Sequence, residues 1–229
     1  MEVQKNLGIR KIGYAILLLG LVVFAPDTLQ AQEETKPVDK TLTRLAVIPF
    51  QAVILEDGSS TAQCPICGSV NSSGSIVRGS EKIVEEIFTD KLKDLKNVEI
   101  ISSERAAGVY QRISADSLKQ PLSRIIQKVG NELHAAVVAV GFVYRFRERV
   151  GYDYSAERPA SVAFEIHLIS VKDGSTLWRG IYDKTQKSLM EDILQAPSFF
   201  KGGAKWVTAR ELTKIGINDL FKTFSGFEH

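Results

Sequence analysis

The strongest constraint on the fold is one apolar run near the middle of the chain. It reads AAVVAVGFVYRFRERV, residues 135–150, and it is apolar at its start and alternates between apolar and polar residues at its end. A short continuous apolar run is typical of a buried strand, and alternation is typical of a strand with one face in solvent. The run therefore predicts the principal strand of a sheet.

Shorter patterns surround this strand. Further strands are predicted at RLAVIPF, NVEIIS, SVAFEIHLISV and STLWRGIYDKT, and Asp173-Gly174 suits the tight turn between the last two. Apolar residues at helical spacing predict helices over 81–96, after NVEIIS, after Pro121 and near the end of the chain. The resulting order, β-α-β-α-α-β-β-β-α, predicts a single α/β domain with a mixed, mainly antiparallel sheet and packed helices.

Two helix starts carry capping residues. Ser80 precedes the first predicted helix and is expected to cap it. Thr208 and Glu211 have the spacing of a capping box, in which each side chain bonds to the other residue's backbone N–H group. The last helix is therefore predicted to begin at Thr208.

The amino-terminal segment predicts export. Lys5, Arg10 and Lys11 precede the apolar run IGYAILLLGLVVFA, after which the chain becomes polar. This is the layout of a secretory signal peptide, predicted over 1–31, with an uncleaved membrane anchor as the alternative. Residues 32–42 are predicted to be a polar linker, residues 43–229 the domain, and the protein periplasmic. The net charge of +2 argues against a nucleic-acid partner.

A Gly/Ser-rich insertion, residues 56–79, carries the two cysteines of the chain, Cys64 and Cys67. The sequence CPICG resembles the knuckle in which zinc sites hold two thiolates, but a structural zinc ion needs four ligands. His134, His167 and His229 are the histidines that could complete the site within one chain, and a second copy could complete it across a dimer.

The insertion has two further interpretations. In an oxidising compartment, Cys64 and Cys67 are expected to form a local disulfide. A thiol-redox centre is the other interpretation, although its reactive cysteine should open a helix directly after a strand. The sequence predicts the disulfide and keeps zinc, the one cofactor considered, as an alternative.

Polar residues also line two neighbouring predicted strands. Glu165 and His167 share one strand face because side chains alternate along a strand, and Arg145, Arg147 and Arg149 share a face of the preceding strand. Cross-strand ion pairs are one interpretation, and an anion-binding or partner-binding face is the other. Arg145, Arg147, Tyr152 and Tyr154 are the predicted partner-contact residues. A hydrolase that uses Glu165 and His167 is a further hypothesis.

Taken in order, RLAVIPF, VEIISSERA, IIQKVGNELHAAVVAVGFVYRF and LISVKDGSTLWRG resemble motifs of a periplasmic α/β superfamily. Its members are curli-secretion lipoproteins, penicillin-binding-protein activator lipoproteins and the amino-terminal domain of the Tol-system translocation protein. The resemblance covers roughly residues 43–185 and does not include the lipid-attachment cysteine or the cysteine-bearing insertion.

The resemblance implies a non-catalytic envelope accessory or assembly protein that self-associates or binds another envelope protein. Contact with the membrane is expected only through an uncleaved amino-terminal segment. Serine-nucleophile, phosphate-loop and HExxH motifs are not found in the sequence, so no catalytic residue is predicted. The alternative function is metal binding or thiol-redox chemistry at CPICG.

Overall fold

The structure is a computed structural model that describes residues 42–117, 119–153, 155–187 and 205–227. All of them belong to one compact unit, Lys40–His229. The predicted signal peptide, all but the last residue of the predicted linker, Tyr154 and His229 lie outside the described residues. No helix within those ranges is long and apolar enough to cross a membrane.

The described elements follow the predicted order, with several short strands added. The strands are β1 (Thr43–Val47), β2 (Gln51–Ala52), β3 (Thr61–Gln63), β4 (Val70–Ser72), β5 (Val98–Ile101), β6 (Val137–Arg147), β7 (Val150–Tyr152), β8 (Ser155–Arg158), β9 (Ser161–Ser170) and β10 (Thr176–Thr185). The helices are α1 (Ser80–Leu92), α2 (Ser103–Asp116), α3 (Leu122–Leu133) and α4 (Ala209–Phe221).

One mixed sheet forms the centre of the domain. Its strand order is β10-β9-β6-β1-β5, and β2 also pairs with β6. The long pairs β6–β9 and β9–β10 are antiparallel, whereas β1 runs parallel to β5 and β6. The predicted α/β class and mixed sheet are therefore confirmed. Strand β6 is buried along nearly its whole length because it lies between β1 and β9.

The two faces of this sheet are covered differently. On the first, called the helix face here, α1 and α4 pack against apolar side chains such as Phe164 and Ile166. On the second, called the loop face, α2 and α3 pack together with the insertion 56–79, which contributes Ala62 and Cys64 to the core. Each face thus has its own hydrophobic cluster.

The structure confirms one of the two predicted helix caps. Thr208 accepts a hydrogen bond from the Glu211 backbone, and Glu211 accepts one from Thr208, so the predicted capping box is confirmed. The prediction for Ser80 is wrong. Gly79 is the N-cap of α1, and Ser80 is the first helical residue, with its buried hydroxyl lacking a partner among the described residues. The φ of +82° at Gly79 explains why glycine stands there.

The insertion is more ordered than its composition predicts. Strands β3 and β4 form a short antiparallel hairpin with the cysteine knuckle between them. The chain then runs along the end of β6, where the backbone N–H groups of Gly74 and Val77 donate to Tyr144 and Phe146. Backbone hydrogen bonds therefore hold the insertion on the loop face.

A β-bulge interrupts the pairing of β6 with β9. Val143 pairs with Phe164 and Arg145 pairs with Ala163, so Tyr144 is the extra residue on β6. Tyr144 is fully buried in the same cluster as Phe142, on the loop face. The bulge therefore brings a buried phenol beside Glu165, which pairs with Phe142.

Candidate metal centre

The cysteine knuckle is shaped by its own backbone. The N–H of Gly68 donates to the carbonyl of Cys64 (3.0 Å), and the N–H of Cys64 donates to the carbonyl of Ser69 (2.8 Å). Gly68 has a φ of +73°, a conformation that glycine adopts without strain. The N–H of Ile66 also points at Cys64 Sγ, 3.4 Å away. The knuckle therefore presents a sulfur atom to a backbone donor, as thiolate-binding turns do.

Both cysteines are free thiols in the structure, Cys64 buried and Cys67 exposed. The predicted disulfide is not formed. Each of the two thiols contacts a side chain of β9. Cys64 Sγ lies 3.4 Å from His167 Nε2, and Cys67 Sγ donates to Glu165 Oε1 at 3.3 Å.

Strand β9 supplies the other half of the centre. Glu165 and His167 are two residues apart, so the alternation of a strand puts both on one face, as predicted. Both have no solvent-exposed surface, although charged and polar residues are seldom buried without partners. His167 Nε2 lies 2.9 Å from Glu165 Oε1. The insertion covers this polar pair on the loop face.

The four side chains converge on one point. One possible ligand atom from each of Cys64, Cys67, Glu165 and His167 lies within 4.8 Å of all the others. Cys64 and His167 are separated by 103 positions in the chain. Only the folding of the insertion onto β9 brings them together.

A shell of donors surrounds the Glu165 carboxylate. Tyr144 donates its hydroxyl to Oε2 (3.1 Å), and Asn71 donates its amide to the same oxygen (3.0 Å). The Ser69 hydroxyl lies 3.4 Å from Oε2. Arg179 of β10 forms an ion pair with Oε1. Both carboxylate oxygens are therefore held in place from three different elements.

The surroundings shift three protonation equilibria. Burial raises the pKa of Glu165, but hydrogen bonds from His167 and Arg179 outweigh burial and leave that pKa well below its ordinary value. Burial raises the pKa of the Cys64 thiol. Burial, together with Cys64 and Glu165, raises the pKa of Tyr144 far above its ordinary value. At neutral pH the centre therefore holds a carboxylate and a phenol that keeps its proton.

The other predicted site residues lie elsewhere. His134 is the left-handed C-cap of α3, where its carbonyl accepts a hydrogen bond from Arg44. It is outside the cluster of ligand groups. Of the three histidines considered as ligands from the sequence, the structure brings His167 to the cysteines, and His229 lies outside the described residues.

The predicted partner-contact residues differ in how far they are exposed. Arg145 is mostly buried, donates to Ser161 (2.6 Å) and pairs with Asp183. The Nε atom of Arg147 is buried without a partner among the described residues. Tyr152, by contrast, is 83% exposed on strand β7. Strand β7 pairs with β8 in a short antiparallel hairpin.

Three residues of the centre were not identified from the sequence as members of it: Asn71, Tyr144 and Arg179. Arg179 pairs directly with His167 across the β9–β10 hairpin. The Asp173-Gly174 turn predicted the hairpin, but a register shift between Thr176 and Trp178 sets this pair. The bulge that positions Tyr144 leaves no comparable mark, because a strand with one extra residue has the same composition as one without.

No protein-family profile matches this chain, and no curated protein matches it. Among solved structures, it is similar to the PelC dodecamer from Paraburkholderia phytofirmans, with 12% identity, a TM-score of 0.44, and coverage of 80% of this chain and 86% of that one. The LpoB C-terminal domain from Salmonella enterica has 13% identity and a TM-score of 0.37, over 64% of this chain and 84% of that one.

Lipoprotein GNA1162 from Neisseria meningitidis has 10% identity and a TM-score of 0.40, over 71% of this chain and 99% of that one. At these identities and TM-scores, the similarities carry no ligand, partner or activity to this chain.

Proposed function

We propose that this chain is an exported α/β protein that binds one divalent transition-metal ion, Zn²⁺ by ligand chemistry, through Cys64, Cys67, His167 and Glu165. The observation that carries the proposal is the convergence of these four groups within 4.8 Å. Two thiolates and an imidazole favour zinc over magnesium or calcium, and a carboxylate is also a common zinc ligand.

Two of the distances are close to those between the ligand atoms of a tetrahedral ion. Bonds of about 2.3 Å to sulfur and about 2.0–2.2 Å to nitrogen and oxygen place neighbouring ligand atoms about 3.4–3.8 Å apart. Cys64 Sγ and His167 Nε2 are 3.4 Å apart, and Cys67 Sγ and Glu165 Oε1 are 3.3 Å apart. The 2.9 Å between His167 and Glu165 is a hydrogen-bonding distance that must widen by about half an ångström.

The role supported by this set of ligands is structural. A catalytic zinc ion keeps an open position, whereas four protein ligands close the coordination sphere. Tyr144, Asn71 and Arg179 orient the carboxylate, in the manner of the hydrogen-bonding partners that surround metal ligands in proteins. A bound ion would join the insertion to β9 and add its binding free energy to that of folding.

Metal content of the purified native protein tests the proposal. We expect about one zinc ion per chain by elemental analysis, and less than a tenth of that in Cys64→Ser, Cys67→Ser and His167→Gln. His134→Asn is the matched control, because asparagine also tolerates the left-handed conformation of that position. Replacement by Co²⁺ should produce the absorption of a tetrahedral thiolate complex. A metal-free native protein that also takes up no Zn²⁺ or Co²⁺ after reduction contradicts the proposal.

A second candidate function is protein contact in the cell envelope, as the sequence resemblance implies. One observation favours it. Tyr152 is 83% exposed and Val150 is 39% exposed on the β7–β8 hairpin. Arg149, just before β7, donates to Asp153 in the turn of this hairpin (2.6 Å) and to the Trp206 carbonyl (2.7 Å). An exposed tyrosine is a typical anchor of a protein interface.

Site-specific photo-crosslinking in intact cells tests this second function. A photoreactive residue at position 152 should capture an envelope protein or a second copy of the chain. The matched control is position 54, where Ile54 is 72% exposed on another part of the surface. Equal capture from both positions contradicts a specific contact at the hairpin.

A further inference from the structure

We propose that Cys67 is a site of thiol–disulfide exchange with small disulfides, and that the exchange converts the metal centre into a metal-free Cys64–Cys67 disulfide. This inference rests on the proposed metal-binding function and adds a second, oxidised state of the same site.

The two thiols differ in access. Cys67 is exposed, whereas 3% of Cys64 is exposed. Their sulfur atoms lie within 4.8 Å of each other in the turn of the knuckle. A small disulfide can therefore reach Cys67 from solvent, and Cys64 is the neighbour that completes a local bridge. Exchange of this kind requires an accessible attacking thiolate.

The charges of the centre are balanced in every state. Without metal, Arg179 pairs with the Glu165 carboxylate. With Zn²⁺, the ion's two positive charges and Arg179 offset two thiolates and the carboxylate. With a disulfide, the sulfur atoms are neutral and Arg179 again offsets Glu165. A buried unpaired charge is costly, and none of the three states creates one.

The exchange proceeds in two steps with a disulfide R–S–S–R as the oxidant. The Cys67 thiolate attacks one sulfur, forming a Cys67–S–S–R bond, and the first R–S⁻ leaves. The Cys64 thiolate then attacks Cys67 Sγ, forming the Cys64–Cys67 bond, and the second R–S⁻ leaves. Both leaving thiolates take protons from water. The protein sulfurs lose two electrons, the reagent gains them, and Zn²⁺ is released to solvent.

Contacts that do not involve sulfur hold the insertion in all three states. Gly74 and Val77 keep their backbone hydrogen bonds to β6. Asn71 of β4 keeps its hydrogen bond to Glu165, which Tyr144 also holds. Release of the metal is therefore compatible with a folded domain, and exchange is reversible.

Oxidised glutathione tests the inference on the zinc-loaded protein. We expect one zinc ion, detected with a chromogenic chelator, for each Cys64–Cys67 bridge detected by intact mass, with the same time course. Reduction followed by added Zn²⁺ should restore the original metal content. In Cys64→Ser, a stable mixed disulfide at Cys67 is expected. Bridge formation without zinc release, or full retention of both zinc and free thiols, overturns the inference.

The failure of this inference and that of the proposed function are distinguishable. Full zinc content with no response to oxidised glutathione overturns the exchange alone, whereas a chain that binds no metal overturns both. Thermal unfolding adds a test of the charge argument. Arg179→Gln should lower the unfolding midpoint of all three states and Arg179→Lys should recover most of the loss. A loss confined to the zinc-bound state contradicts the charge argument.

Discussion

The two faces of the sheet are both covered, but with different chemistry. On the helix face, α1 and α4 close mainly over aliphatic and aromatic side chains. On the loop face, α2 and α3 cover apolar residues, but the insertion lies over Glu165 and His167, which are as inaccessible as any core residue. A helix pairs most of its own backbone N–H and C=O groups by hydrogen bonds and can present an apolar stripe. An irregular segment must find hydrogen-bond partners for its backbone groups elsewhere.

Any dependence of stability on metal is therefore expected on the loop face. Burial of apolar surface stabilises the helix face whatever the solution contains. The loop face contains the polar network around Glu165 and His167, to which a bound metal ion would add further bonds. The following predictions separate these two contributions.

The largest effect is expected from Phe88→Ala on the helix face. Phe88 is fully buried against Phe50 and Phe221, with ring centroids 5.7 Å away in both cases. Removing the ring leaves a cavity and should lower the free energy of unfolding by about 3–5 kcal/mol. Urea unfolding should give the same loss with zinc and with a chelator. A loss that depends on zinc would mean that the two faces are not independent.

Removal of the metal should act on the loop face alone. A ligand present at about a hundred to a thousand times its dissociation constant stabilises the folded state by about 3–4 kcal/mol. A chelator should lower the unfolding midpoint of the wild type accordingly, and it should leave Cys67→Ser unchanged. Amide exchange should then accelerate in the β3–β4 hairpin and stay slow in α1 and α4. Acceleration spread evenly over the chain would contradict this assignment.

An intermediate effect is expected from Tyr144→Phe. The variant keeps the buried ring but removes the donor to Glu165 Oε2 (3.1 Å). Loss of one hydrogen bond to a buried carboxylate should cost about 1–3 kcal/mol. Tyr182→Phe is the matched control, because Tyr182 is similarly buried but belongs to the helix-face cluster. Equal losses in the two variants would show that the carboxylate contact has no special weight.

The smallest effect concerns pH at the start of α4. The backbone N–H of Thr208 lowers the pKa of Glu211 in the folded protein. A carboxyl group with a lowered folded pKa contributes stability above its ordinary pKa and loses that contribution as pH falls through the folded value. Glu211 is 44% exposed, so the effect is small. Glu211→Gln should flatten the loss of stability below about pH 4.3. An unchanged acid profile in a two-state unfolding assay would contradict this.

Much of the fold could be predicted from local sequence patterns. The apolar run over β6, the Asp173-Gly174 turn and the Thr208/Glu211 capping box each act over a few residues, and the structure has all three. Ser80 failed as a cap because the preceding Gly79 adopts a left-handed conformation that its glycine permits.

Only part of the candidate centre could be predicted from the sequence. The pairs Cys64/Cys67 and Glu165/His167 were each visible through spacing, one in a knuckle and one along a strand. The sequence did not show that the two pairs lie together. A pattern of two to four residues contains no information about which loop folds over which strand. The predicted export also favoured a disulfide, whereas both thiols face β9 side chains.

The class of fold, the order of its elements and the two half-sites could all be predicted from the sequence, because these depend on periodicity and turn chemistry within short windows. It is folding that joins the half-sites into one centre, brings Tyr144 to it through a bulge and places Arg179 to balance its charge. Those outcomes depend on contacts across as many as 103 positions, where the free energy of packing, and not local preference, selects the partner.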